Sequence, residues 1–353
     1  MLDVARVERY LSSARETGQS CRLFDVHAHP FEVFYDGLPY EPDPECPGVH
    51  GASPRRPYAP PSAAPVRLNP AGEMAQGRQV SLAWGKQKTR QAYRHMGPTV
   101  FLDQMKLCGI HTVLLHPVVS PEAVGDGHMQ RLAEVYGARD RLLFSYCIPN
   151  DVEDEGIGHA LTRAVAEYGV RAVKLHPNRT GLALASRAGA ARMERILDAC
   201  NRLKMPLLVH GGRSSILEEA GTAENATIDK LEGVDWGISR QPVIIAHAGA
   251  YDCRLQDVEA NVLPSLRKLL GRHPHLMVDI SGLGFDLMHA VVKRVDVDRL
   301  LFGSDALYAP MWRQVVIAMH AFSVLGRDAQ HGLARIAGAN PARVALCREG
   351  NQP

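Results

Sequence analysis

Short apolar runs recur along the chain, each nearly continuous in Val, Leu, Ile or Phe. They are "RLFDV" (22–26), "HTVLL" (111–115), "LLFSYCI" (142–148), "VRAVKL" (170–175), "PLLVH" (206–210), "PVIIAH" (242–247), "LMVDI" (276–280) and "LLFGS" (300–304). Runs of this length, usually entered through Gly, Pro or a charged turn, predict strands buried on both faces. Helix-length segments lie between them. "EAVGDGHMQRLAEVYGA" (122–138), "IGHALTRAVAEYG" (157–169) and "AARMERILDACNRLK" (190–204) are amphipathic at helical spacing, and "PMWRQVVIAMHAFSVLG" (310–326) follows the last strand. "VEANVLPSLRKLLGR" (258–272) carries Pro264, which predicts a kink. The opening "MLDVARVERYLSSARETG" has helical periodicity and acidic residues, unlike the apolar run of a signal peptide. Residues 328–353 read as a C-terminal helix and tail.

Strands alternating with helices predict a parallel α/β fold, and the count of eight favours a closed (β/α)8 TIM barrel forming one domain over 1–353. A doubly wound open sheet is the alternative, but no G-x-G-x-x-G follows the first strand. Residues 31–98 break the rhythm with a long stretch rich in Pro, Gly and Arg. Because it leaves the end of the first strand, it is expected to be a lid loop over the barrel mouth, with Phe31, Phe34, Tyr35 and Tyr58 offering contacts. A solvated surface appendage is the competing reading.

Composition narrows the class. The chain has 353 residues, 46% hydrophobic and 22% charged, enough to bury a substantial core. A net charge of +2 without a basic block implies no nucleic-acid partner. No run approaches the ~20 apolar residues of a membrane helix. The seven cysteines are odd in number and never spaced C-x-x-C, which fits reduced thiols in a cytoplasm. The expectation is a soluble cytoplasmic protein acting on a small molecule, with a homo-oligomer left open.

The candidate chemistry begins at "LFDVHAHP" (23–30), where His27 and His29 are two apart and so share one side of a strand. His116 follows the second strand, Lys174 and His176 stand at the fourth, His210 ends the fifth, His247 the sixth, and Asp305 follows the eighth. Barrel enzymes place their chemistry at these C-terminal strand ends, and closure gathers them. A single histidine there is more often structural than a ligand. Several imidazoles with a carboxylate suit a divalent cation, Zn above all, that activates water, with Asp305 placed to take the proton. His116, just before Pro117, is expected at the rim.

The segments "DVHAHP", "VKLHP", "LLVHGG", "IIAHAG", "VDISG", "LLFGSD" and "IAGANPARV" run in order from residue 25 to 344. In them the chain resembles the amidohydrolase superfamily, specifically its amidohydrolase-related (amidohydrolase 2) branch of metal-dependent barrel hydrolases. The resemblance implies that His27, His29, His210 and Asp305 ligate a divalent metal, with Zn first and Mn or Fe also possible. It implies a catalytic set of Asp305, His247 and Lys174. His247 would polarise substrate or bind a second ion; Lys174 would bridge two ions once carboxylated, or remain a lysine that pairs with an anion. One ion is favoured. Branch members hydrolyse amides, esters or lactones, and some decarboxylate aromatic or unsaturated acids. Hydrolysis is the leading expectation. Decarboxylation would call on cations: Arg179 and Arg213 near the strand ends, or Arg55 and Arg56 in the Pro-rich stretch. Arg213, Arg179, His176 and Tyr308 are the substrate-binding candidates. Tyr308 belongs to "GSDALYAP", which departs from the branch's usual proline two residues after the aspartate. A non-catalytic metal-binding barrel is a third reading, and the retained H-x-H pair and Asp305 argue against it.

Overall fold

The computed structural model describes residues 2, 4–30, 98–117, 129, 141–148, 152–215, 218, 220–306 and 311–344. Its strands are β1 Leu23–Ala28, β2 Ile110–Leu115, β3 Leu142–Cys147, β4 Ala172–Leu175, β5 Leu207–Val209, β6 Val243–Ile245, β7 Leu276–Asp279 and β8 Leu300–Leu301. All neighbours pair in parallel and in chain order. Beyond β8 the chain returns to β1. The Val26 N–H donates to the Phe302 carbonyl at 3.0 Å, the Asp305 N–H donates to the His27 carbonyl at 2.7 Å, and Ala28 bridges Ala306. The sheet therefore rolls up into a (β/α)8 barrel.

The main described helices are α1 Val4–Ser20, α2 Pro98–Cys108, α3 Ile157–Tyr168, α4 Arg187–Leu203, α5 Leu263–Arg272, α6 Phe285–Arg294 and α7 Met311–Val324. Short helical pieces then carry the chain from Ala329 to Arg343. The kink expected at Pro264 takes the form of a π turn, Val258–Val262, immediately before α5. Pro264 thus lies within one continuous helical run from Leu255 to Arg272, and the wider π turn is what accommodates its ring and its missing N–H. Of the helix expected over 122–138, only Met129 is described, and it is buried. The 31–98 segment lies outside the described residues up to 97, and with it Phe31, Phe34, Tyr35, Arg55, Arg56 and Tyr58; so do Tyr308 and the tail beyond 344.

The strand sequences look continuously apolar because each strand serves two cores. Phe24, Val26, Leu114, Ala172, Leu208, Ile244, Met277 and Leu301 fill the barrel interior. Their sequence neighbours, among them Val113, Leu115, Val173, Leu207, Val209, Val243, Ile245 and Val278, face outward into a larger core. The helices supply the other wall of that core, through Val7 and Leu11 of α1, Ile196 and Leu197 of α4, Leu266 of α5 and Val315 of α7. Alternation along a strand thus sorts residues between two apolar layers rather than between core and water. Among the described residues no helix is long and apolar enough to cross a membrane.

The interior layer sets a test of the fold. Leu208 is fully buried there, so Leu208→Ala should cost about 2–5 kcal/mol in urea unfolding without a change in slope. Val324→Ala, at a position 55% exposed, should stay within about 0.5 kcal/mol of the parent.

Candidate metal centre

Directly above the interior apolar layer, the same strand faces turn polar. Leu114 is followed two residues on by His116, Ala172 by Lys174 and then His176, Leu208 by His210, and Met277 by Asp279. The period of two delivers each of these to the barrel mouth. His27 does not follow that rule. Phe24 and Val26 already point inward, so strict alternation would turn His27 out toward the helices. A register shift between Asp25 and Ala28 resets the strand. Asp25 Oδ1 accepts from the His27 N–H at 3.1 Å and from the Ser304 N–H at 3.0 Å, stapling the irregularity to the end of β8. Burial pushes the Asp25 carboxyl up to about 7, against the opposing hydrogen bonds from Ser304 and His27.

Two further side chains are turned in by left-handed backbone, His247 at φ 55° and Asp305 at φ 56°. Such conformations are uncommon outside glycine and cluster where function requires an unusual side-chain direction. Gly303 makes room for His27 and Ser281 to approach the end of β8. A Cβ at Gly303 would lie 2.8 Å from the Cβ atoms of both His27 and Ser281.

Hydrogen bonding then fixes which nitrogen of each ring is free. His29 Nδ1 lies 2.7 Å from the His116 carbonyl, and His247 Nδ1 lies 2.8 Å from the Ser281 carbonyl. A carbonyl only accepts, so both Nδ1 atoms carry the proton and both Nε2 atoms are left with a lone pair. His116 donates from Nε2 to the Val26 carbonyl at 2.8 Å and meets the Ser145 hydroxyl with Nδ1 at 2.8 Å. Both its nitrogens are engaged and it is fully buried. The rim position expected for His116 is therefore corrected: it is an internal brace that carries His29, because its parity with Leu114 keeps it inside.

The free nitrogens converge. His29 Nε2 stands 3.0 Å from Asp305 Oδ1, and His27 Nε2 stands 3.8 Å from the same oxygen. Burial lowers the pKa of His29, against the pull of Asp305, and lowers that of His27 further, helped by Lys174. Both rings are neutral near pH 7. Burial acts to raise the Asp305 carboxyl, yet His29, His247 and Lys174 together hold it below the usual carboxylate value. A neutral His29 with its proton on Nδ1 thus points a lone pair at a carboxylate oxygen. That contact repels unless a proton or a metal cation sits between the two groups. Donors roughly 2.0–2.2 Å from Zn²⁺ would be spaced in this way. His27, His29 and Asp305 form one of two groups of three mutually close donors among the described residues; His27, His247 and Asp279 form the other. The residues fit a divalent metal.

The other expected residues are placed as follows. Lys174 is buried, with Nζ 2.9 Å from His27 Nε2. Burial lowers its pKa to about 8, against the fields of Asp279, Cys147 and Asp305. His210 belongs to neither group of three. It packs 5.0 Å from His247, ring to ring, and its Nε2 has only a 3.5 Å contact to the Arg213 carbonyl. His176 stacks flat on His210, with centroids 3.9 Å apart and planes 9° apart, and its buried Nδ1 has no hydrogen-bond partner. Arg179 sits in the turn after β4, where its charge is felt by both His176 and His210. The Arg213 guanidinium turns away from the strand ends to Glu218 at 3.3 Å and Glu224 at 3.4 Å. Tyr308 lies outside the described residues.

Three residues of the site escaped the reading of the sequence. Asp279 and Ser281, both buried, link His27 to His247, and Tyr251 packs against His210 and His247 at 5.2 and 4.7 Å between rings. Asp279 did carry a signal, since it shares parity with Met277 at the end of "LMVDI". Tyr251 carried none, because it is placed by loop pairing: its N–H donates to the Gly211 carbonyl at 3.3 Å and its carbonyl accepts from the Arg213 N–H at 2.9 Å. Gly212 permits that approach. Its φ is +120°, and a Cβ there would lie 2.5 Å from the Tyr251 backbone.

Comparison with known proteins bears on the arrangement. A family model described as amidohydrolase matches residues 24–344. The structure resembles that of an amidohydrolase II at 16% identity, with 92% of this chain and 99% of the other covered and a TM-score of 0.52. It also resembles 5-carboxyvanillate decarboxylase from Sphingomonas paucimobilis, at 13% identity, 78% and 94% coverage and a TM-score of 0.52. A third likeness is an amidohydrolase from Burkholderia multivorans with bound zinc, at 14% identity, 79% and 95% coverage and a TM-score of 0.52. No curated protein matches the sequence.

The buried lysine leaves a mark on stability. Its folded pKa of about 8 lies below the ordinary 10.5, so between those values the unfolded chain binds more protons than the native state. Stability of chelator-treated protein should therefore rise as pH increases from about 8 to 10.5, by on the order of 3 kcal/mol from this group. Lys174→Met should flatten that rise. Urea titrations of both proteins across the window, with superimposable pH dependence, would show that the amine is not held in a desolvated site.

Proposed function

The chain belongs to the amidohydrolase family, and from that premise we propose that it is a metal-dependent hydrolase acting on an amide, ester or lactone bond of a small molecule. The observation that carries the reading is the 3.0 Å approach of His29 Nε2 to Asp305 Oδ1, with the ring proton committed to the His116 carbonyl at the other nitrogen. His27, His29 and Asp305 would hold the ion. His210 is the proposed fourth ligand, its Nε2 held only by the 3.5 Å contact to the Arg213 carbonyl. When bound, a divalent ion acts as a Lewis acid that lowers the pKa of water and polarises a substrate oxygen. Zn²⁺ is the proposed metal, since imidazole and carboxylate donors suit it; Mn²⁺ and Fe²⁺ are alternatives.

The chain's own groups supply the remaining steps. Asp305 is ionised and stands at the mouth, ready to take a proton from the attacking water and return it to the leaving group. His247, its Nδ1 proton tied to the Ser281 carbonyl, presents Nε2 to the substrate side. His176 Nδ1 is buried without a partner and can pair with a polar substrate group. Burial lowers the pKa of His176, as do the charges of His210 and Arg179, so the ring acts as a neutral partner. Lys174 can act in either of two ways. As a cation it holds an anionic substrate group beside His27; as a neutral amine it can take up CO₂ and bridge two ions. The single-ion form is the one proposed, with Lys174 left uncarboxylated to pair with an anionic substrate group.

Decarboxylation of an aromatic or unsaturated acid is the second reading. It is supported by Arg179, whose charge lies near His176 and His210 and which has no ion pair among the described residues. Arg213 is less suited, since Glu218 and Glu224 already neutralise it. A homo-oligomer stays open as a proposal, and a cytoplasmic site is supported by free thiols at Cys21, Cys108, Cys147, Cys200 and Cys253.

Elemental analysis of protein purified without chelator should give one divalent ion per chain. His27→Ala with His29→Ala should abolish it together with turnover on an ester and lactone panel. An undiminished metal load in that double variant would refute the ligand assignment. Lys174→Ala should keep the single ion while lowering turnover; a fall from two ions to one would instead establish a bridging lysine.

A further inference from the structure

Asp279 joins two histidines of the metal centre, His27 and His247. It is fully buried at the end of β7. Its Oδ1 accepts three donors: the His247 N–H at 3.0 Å, the Ser281 N–H at 2.9 Å and the Ser281 hydroxyl at 2.5 Å. Its Oδ2 lies 2.9 Å from His27 Nδ1. On the far side of the same ring, Lys174 Nζ lies 2.9 Å from His27 Nε2.

The carboxylate contact places the ring's proton: a carboxylate only accepts, so the proton of neutral His27 is on Nδ1, where Asp279 receives it. The grouping of His27, His247 and Asp279 therefore does not suit a second ion. Both Nδ1 atoms hold protons, and the Ser281 hydroxyl lies 2.9 Å from each of them. Entry of a cation would have to expel both protons and break the contacts to Ser281.

We infer that Asp279 is a positioning residue that locks His27 in its Nδ1–H form and so keeps Nε2 open toward the metal. The inference rests on the metal reading of His27 given above. Carboxylates in this relation to a ligand imidazole orient the ring and raise its basicity, and their loss typically costs 10–100-fold in metal affinity. The substitution Asp279→Asn probes this sharply. Three donors hold the Oδ1 position, so the amide oxygen must take that place and the amide nitrogen must face His27. An N–H donor against Nδ1 reverses the ring, moving its proton to Nε2 and closing the nitrogen that a metal needs.

The experiment pairs zinc affinity, measured by chelator competition, with nitrogen NMR of histidine-labelled metal-free protein, the His27 signals being assigned by their absence in His27→Gln. Wild type should show Nδ1–H at His27. Asp279→Asn should show Nε2–H and bind zinc 10–100-fold more weakly, whereas Ser281→Ala, which leaves the carboxylate in place, should lose less. Unchanged affinity in Asp279→Asn overturns the inference. So does weakened affinity with the proton still on Nδ1, because the effect would then be merely structural. If the variant does not fold, the wild-type spectrum decides, since Nε2–H there is incompatible with the proposal. Wild type that binds no zinc refutes the metal reading instead, and the NMR result still judges the tautomer on its own.

Discussion

A buried imidazole has two nitrogens to satisfy, and that requirement organises the upper half of this barrel. The His29 and His247 Nδ1 atoms donate to backbone carbonyls, and His27 Nδ1 donates to Asp279. Each donation leaves Nε2 without the ring proton, and the His29 and His247 rings each pack within 5.0 Å of His27. Polar atoms withdrawn from water are costly unless paired. The carbonyls that pair them belong to β2 and β7 loops rather than to the histidines' own strands. The barrel must close in correct register before the rings can point together, so the fold and the chemistry depend on the same contacts.

That dependence explains what could be read in advance. The eight strands were legible because both faces are apolar, and the order of histidines and Asp305 was legible because strand ends converge in a closed barrel. The pairing of His27 with His29 was anticipated on strand parity, but the structure reaches it differently. The interior positions of β1 are Phe24 and Val26, and only the shift stapled by Asp25 turns His27 inward. His116 was misplaced at the rim because a following proline suggests a loop, whereas its hydrogen bonds to Val26 and Ser145 hold it within. Asp279 and Ser281 were passed over although parity marks the first. A lone carboxylate in a short strand is conspicuous only once its partners on β1 and β6 are known. The turned-in backbone of His247 and Asp305, and the loop pairing that brings in Tyr251, have no local sequence pattern at all.

The arrangement also separates what performs chemistry from what selects a substrate. The candidate ligands, Asp279 and Ser281 come from β1 and from the ends of β5, β7 and β8. Among the described residues, the groups with unspent capacity lie to one side, after β4: His176 with its unpartnered Nδ1 and the cation of Arg179. A substrate anchored by a neutral polar group and one anchored by a carboxylate would both approach from that side. Hydrolysis and decarboxylation can thus share one metal centre and differ in what His176 and Arg179 are asked to hold. Arg213 shows how such a choice is made physically. Its strand-end position would suit a carboxylate, but two glutamates already occupy its guanidinium, and withdrawing it from them would forfeit both contacts before any substrate bound. Among the described residues the pair of acids leaves Arg179 as the cation better placed than Arg213 to bias the site, so under the proposed function the reaction class would turn on a residue outside the metal's own shell.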